Sequence, residues 1–204
     1  MKQKIIAIGK KLGVNGYSAG ISGNISIRQK NGFYITSSGS KLSELKRNDI
    51  IFVDFDGNCN RFAKKPSSEK NLHLEIYKLR HDINAIIHCH SPKCTSLATC
   101  HIPMDKKLLA DSVFYFGEIP LAPYAMPSSE ELVKKTLPFF ENHNAVLMSN
   151  HGIIIGADTL ENALFLTETA ELNAEVYINS ILLKSPYSLS ESDVSDIYNL
   201  RNSK

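Results

Sequence analysis

Two strand-forming runs, Ile25-Ser-Ile-Arg28 and Phe33-Tyr-Ile-Thr36, are joined by a short segment that ends in Asn31-Gly32. Asn-Gly between such runs is the strongest short-range hairpin signal, because the tight turn needs φ above zero at both central positions. The chain therefore starts its sheet with an antiparallel pair. Ahead of it, a helix is expected over 2–13, ending at Gly13, followed by the Gly-rich loop YSAGISGNISIR. Ile50-Ile-Phe-Val-Asp54 reads as a further strand, closed by Asp56-Gly57. From Ser67 the period changes, and Leu72, Ile76 and Leu79 form a helical stripe, with Pro66 just before the start, where it does no harm. Residues 85–90 read as extended and 91–99 as helical, with no clear pattern from there to Phe116 and then the Pro-rich loop EIPLAPYAMP. A helix is expected over 128–140, with Ser128-x-x-Glu131 as its capping box. Strands over 145–148 and 153–155 flank Ser149-Asn150-His151-Gly152, and Asp158-x-x-Glu161 caps a last long helix to about residue 183. Hairpins and helices interleave without a βαβ rhythm, which predicts an α/β fold with a mostly antiparallel sheet and helices packed on it.

The length of 204 residues suits one domain, 1–204. A formal charge of +2 leaves no excess of basic groups to track a phosphate polymer, so nucleic acid is not an expected partner. No stretch approaches the roughly 20 apolar residues of a membrane helix, and the N-terminal apolar run is too short for a signal peptide. Cys59, Cys89, Cys94 and Cys100 show no CxxC spacing, which points to a reducing cytoplasm.

The chemistry begins at Ile86-Ile-His-Cys-His-Ser-Pro92. Side chains alternate along a strand, so His88 and His90 share a face while Cys89 takes the other, and two imidazoles so placed suit one metal ion. The plain alternative is a polar strand face against water. Buried imidazoles need partners, and the apolar Ala85, Ile86 and Ile87 argue for burial. A third ligand would come from His73, His81, His101, His143 or His151. His151 is the best placed, at a break between two β-forming runs where Gly152 lets the chain turn; the bland reading there is an ordinary hairpin facing water. Three histidines with an open fourth position are the ligand set of a catalytic zinc site. In Lys65-Pro-Ser-Ser-Glu69, Ser67 and Ser68 fall at a helix start that favours an anion, and Glu69 is either a helix-start charge or, beside a metal, a proton shuttle. Ser22-Gly-Asn24 and Thr36-Ser-Ser-Gly39 are two more small-residue loops; with Ser67-Ser68 they suggest a phosphate nest with little lysine or arginine.

The order SGN, ITSSG, PSSEKNLHLEIY, INAIIHCHS and SNHG resembles the class II aldolase/adducin family, particularly its L-fuculose-1-phosphate aldolase branch, over about residues 3–183. The resemblance implies a three-layer α/β/α sandwich around a mostly antiparallel sheet, and a homotetramer with active sites between subunits. It implies zinc held by His88, His90 and His151, with Glu69 as the acid/base that also ligates the metal before substrate arrives. By the same resemblance Gly23, Asn24, Ser38, Gly39, Ser67 and Ser68 hold the phosphate of a phosphorylated ketose. Two departures stand out. The family's catalytic tyrosine from a neighbouring subunit aligns with Leu109, with Tyr115 a few residues on, and the second, in the C-terminal tail, finds only Tyr187 or Tyr198. The expected activity is aldol cleavage of a ketose 1-phosphate to dihydroxyacetone phosphate and an aldehyde. The alternatives within the family are methylthioribulose-1-phosphate dehydratase, pentulose-phosphate 4-epimerase and a non-catalytic adducin-like module.

Overall fold

The computed structural model describes residues 1–60, 63–184 and 186–203. Its centre is a seven-stranded sheet in the order β3-β2-β1-β4-β7-β6-β5. The strands are β1 (Asn24–Gln29), β2 (Gly32–Thr36), β3 (Ile50–Asp54), β4 (Ala85–Cys89), β5 (Leu121–Ala122), β6 (Ala145–Met148) and β7 (Gly152–Ala157). Every pairing is antiparallel except β5 with β6. The hairpin forms, but Gln29 lies opposite Gly32, so the turn falls on Lys30-Asn31 and neither Asn31 nor Gly32 takes φ above zero. Gly32 instead lets β3 approach, where a Cβ would stand 2.1 Å from the Val53 carbonyl oxygen.

Strand alternation divides the core in two. Ile25, Ile27, Ile87, Cys89, Leu147 and Ile153 pack beneath α1 (Lys2–Val14), α3 (Pro92–Thr99) and α6 (Leu160–Leu182). Ile35, Ile86, Val146 and Ile154 face α2 (Lys70–Leu79) and α5 (Glu130–Thr136) on the other side. This is the three-layer arrangement. Ile86 and Ile87 are fully buried on opposite faces, each contributing about 1.5–3 kcal/mol of transfer free energy. Among the described residues no helix is long and apolar enough to cross a membrane.

Several boundaries differ from the sequence expectation, each for a local reason. The first helix runs to Val14, past Gly13, whose missing Cβ would lie 2.4 Å from Ser43 Cβ; Gly13 therefore serves packing, not termination. The stripe on α2 is Leu72, His73, Ile76 and Tyr77, while Leu79 stays exposed. The helix expected over 128–140 breaks into α5 and a 3₁₀ turn, Leu137–Glu141, at Pro138, which lacks the N–H that would continue it. Its cap is Ser129, accepting from the Leu132 amide, not Ser128; α6 is capped by Thr159 through the Asn162 amide, not by Asp158. The unpatterned stretch holds α4 (Ala110–Tyr115), the Pro-rich loop holds β5, and α7 (Glu191–Asn202) follows the last expected helix.

Candidate metal centre and active site

Three polar residues alternate with Ile25 and Ile27 along one face of β1, and each ties down one turn of α2. The Asn24 amide donates to Glu69 Oε2 at 3.0 Å. Ser26 Oγ lies 2.7 Å from both His73 Nδ1 and the Tyr77 hydroxyl. Arg28 donates to the Tyr77 and Arg80 carbonyls at the C-terminal end of the helix, where a cation is favourable. This ladder fixes Glu69, which sits as the residue before α2 and not inside its first turn.

The β1–β4 register sets Asn24 directly opposite His88. His88 Nδ1 lies 3.0 Å from the Ile153 carbonyl oxygen. A carbonyl only accepts, so the imidazole proton is on Nδ1 and the Nε2 lone pair faces inward. That lone pair meets His90 Nε2 at 3.2 Å and Glu69 Oε2 at 3.3 Å, while His151 Nε2 lies 3.3 Å from Glu69 Oε1. One nitrogen from each histidine falls within 4.8 Å of the other two, the one such grouping among the described residues.

Electrostatics explain what the cluster lacks. Burial pushes His88 and His90 below the ordinary histidine value and His151 down to about 4, so all three are neutral at neutral pH. Burial alone would raise Glu69, but the charge that His88 and His151 carry once protonated at acid pH, together with the Asn24 amide, outweighs it and holds the carboxyl below its ordinary value. An ionised carboxylate thus faces converging lone pairs with no lysine or arginine beside it among the described residues. The Nδ1 of His151 and Oδ1 of Asn24 are also buried without partners among the described residues. These residues fit a divalent ion with nitrogen and oxygen ligands.

His151 is carried by the β6–β7 turn, which lies against β4 because residue 152 is glycine. A Cβ there would stand 2.5 Å from the Cys89 carbonyl oxygen and 3.0 Å from His90 Cδ2. We expect Gly152→Ala to cost about 1–3 kcal/mol, as overpacking does, and to weaken metal retention by displacing His151. Thermal unfolding of metal-free protein and zinc titration check this; native values for both would show that the turn tolerates the methyl group.

The cleft above these side chains has a volume of about 220 Å³. Gly23, Asn24, Ser38, Gly39, Ser67 and Ser68 all line it, together with Glu69, His88, His90 and His151, so every site residue expected from the sequence reaches one space. Among the described residues no lysine or arginine lines it. The Gly39 and Ser68 amides find no acceptor among the described residues. Pro127 and Ser128 close the cleft from the α5 side, a contribution the sequence hides because Ser128 matches a helix cap there. The other histidines stand apart: His73 is buried on Ser26, His101 is bonded to Asn150, His143 lies beside Glu118, and His81 is exposed. Leu109, Tyr115, Tyr187 and Tyr198 do not line the cleft. Tyr115 packs edge-on against Phe165, and Tyr187 is exposed.

A family model described as the Class II Aldolase and Adducin N-terminal domain matches residues 3–178. The chain belongs to the class II aldolase/adducin family. It is 32% identical over 200 residues to the 5-deoxy-D-ribulose 1-phosphate aldolase of Bacillus thuringiensis serovar kurstaki, covering 96% of this chain and 92% of that protein. It is 34% identical over 183 residues to the L-fuculose phosphate aldolase of Methanocaldococcus jannaschii, covering 90% of this chain and 98% of that protein. Among solved structures, an L-fuculose 1-phosphate aldolase superposes with a TM-score of 0.92 at 32% identity, covering 98% of this chain and 95% of that one. Within the class II aldolase/adducin family the chain stands with the enzymes, the aldehyde-lyases.

Proposed function

We propose that this chain cleaves a ketose 1-phosphate, L-fuculose-1-phosphate-like, into dihydroxyacetone phosphate and an aldehyde. The observation that carries the reading is the meeting of a histidine triad, a buried carboxylate and a pocket of hydroxyls and amides in one cleft. His88, His90 and His151 would hold zinc, with Glu69 as a fourth ligand before substrate enters. A divalent cation there supplies the positive charge that an oxyanion developing on the substrate needs. Asn24, Ser38, Ser67 and Ser68, with the Gly23 and Gly39 backbone, would seat the phosphate. The C4 hydroxyl gives up its proton as the C3–C4 bond breaks and the bonding electrons stay on C3 of the three-carbon fragment. Glu69, ionised at rest, would take up a proton and deliver it to C3. In the reverse direction the same carboxylate removes it. Its ionised resting state suits that second role.

The named relatives act on ketose phosphates by their names, which sets the panel for the test: L-fuculose 1-phosphate, 5-deoxyribulose 1-phosphate and related ketoses, assayed for dihydroxyacetone phosphate and aldehyde. Water loss or epimer formation instead would assign the chain to a dehydratase or epimerase. Ser67→Ala should raise KM about 10-fold and leave kcat within about threefold, since one hydrogen bond to a charged group is lost in ground and transition states alike. A fall in kcat at constant KM would take Ser67 out of the phosphate pocket.

A homotetramer is part of the same proposal. It is supported by Phe165, Leu172 and Leu182, apolar side chains left exposed along α6 that a partner subunit would cover. We place the protein in the cytoplasm, consistent with four free cysteines, two of them exposed.

A further inference from the structure

Pro66-Ser67-Ser68-Glu69 and Pro127-Ser128-Ser129-Glu130 are the same four residues, each leading into a helix, and the fold sets them on two sides of one cleft. Their serines are used differently. In the second copy Ser129 is the helix cap, which leaves Ser128 outside α5 with φ at +67°. L side chains rarely adopt that conformation and glycine takes it freely. The backbone would therefore be better served without a side chain, and what serine adds is its hydroxyl.

That hydroxyl donates to Ser68 Oγ at 2.7 Å. A serine hydroxyl carries one proton, so Ser68, accepting from Ser128, keeps its own proton to give elsewhere. The oxygens of a phosphate dianion only accept, so each hydroxyl around them must act as a donor. In a pocket that no lysine or arginine lines among the described residues, the direction of each hydroxyl decides whether it attracts or repels the anion.

We propose that Ser128 is a positioning residue of the phosphate pocket: by donating to Ser68 it fixes the Ser68 hydroxyl as a donor toward the phosphate of the substrate. The inference rests on the reading of this cleft as a phosphate site. The cost of a left-handed serine is accepted at this position because the hydroxyl serves the ligand and not the fold.

The test is a double-mutant cycle on zinc-loaded protein, with wild type, Ser128→Gly, Ser68→Ala and the double variant titrated calorimetrically with dihydroxyacetone phosphate and with inorganic phosphate. Ser128→Gly should weaken both ligands about 3- to 10-fold, the range of one neutral hydrogen bond. Its thermal midpoint should be unchanged or higher, because glycine relieves the left-handed backbone. In turnover the loss should fall on KM. In the Ser68→Ala background Ser128→Gly should add nothing, since its effect passes through Ser68. Binding by Ser128→Gly equal to wild type would overturn the inference and leave the phosphate site standing. So would additive losses in the double variant, or weaker binding that only accompanies a lower thermal midpoint. Wild type that binds neither probe would refute the phosphate reading itself and the inference with it.

Discussion

Replacing His88 by alanine should strip the protein of metal and abolish aldol cleavage, whereas His81→Ala should leave both unchanged. His88 is the most constrained of the three imidazoles: buried on β4, held by the Ile153 carbonyl on one side and facing Glu69 and His90 on the other. Its loss removes a ligand and also the Nδ1–H that meets the Ile153 carbonyl oxygen. Losing an outer-shell partner alone typically costs about 10- to 100-fold in metal affinity, so losing the ligand should exceed that. His90→Ala should behave alike. His81 is exposed beyond the end of α2 and meets none of the cluster. Metal analysis after gel filtration reads the result, with circular dichroism confirming the fold. One zinc per chain in His88→Ala, or equal loss in His81→Ala, would show that the centre lies elsewhere.

The triad was legible in the sequence because strand periodicity is strict. Once residues 85–90 were extended, His88 and His90 had to share a face, and Gly152 marked the turn that brings His151 to them. The first hairpin was legible from its two strand-forming runs, although its turn falls on Lys30-Asn31 and not on Asn31-Gly32. The ladder of Asn24, Ser26 and Arg28 onto Glu69, His73 and Tyr77 left a signal that went unused. Polar residues at every second position of a strand, between buried isoleucines, require partners, and Glu69, His73 and Tyr77 recur at the four-residue spacing of one helix face. Pairing the two series needs knowledge that β1 and α2 pack together, which local patterns do not carry. The shift of the α5 cap from Ser128 to Ser129 was not legible at all, since two adjacent serines cap equally well by composition and tertiary packing chooses between them. The helix α7 buries no residue, so it offers no apolar stripe to read.

The second large effect belongs to Glu69, which either moves a proton or only precedes a helix. Glu69→Gln preserves length and shape. Its carbonyl can still accept from the Asn24 amide, and α2 keeps the Ser26 and Arg28 bonds that hold it, so the fold should survive. Zinc should largely remain, bound by three histidines. What the amide cannot do is exchange a proton near neutral pH. Zinc-loaded wild type given dihydroxyacetone phosphate in heavy water should exchange the C3 hydrogen without any aldehyde present. Glu69→Gln should bind the same ligand and exchange about 10²- to 10⁴-fold more slowly, the usual contribution of a placed proton-transfer group. The Asn24 amide and a divalent cation at the triad both favour the ionised carboxyl against the opposing effect of burial. The base is therefore ionised throughout the neutral range, and wild-type exchange should stay level there, falling only at acid pH as the carboxylate takes up its proton. Nuclear magnetic resonance of the C3 position follows both variants. An undiminished rate in Glu69→Gln would remove the residue from the reaction, and no exchange by zinc-loaded wild type would turn the assignment from aldol cleavage toward water elimination.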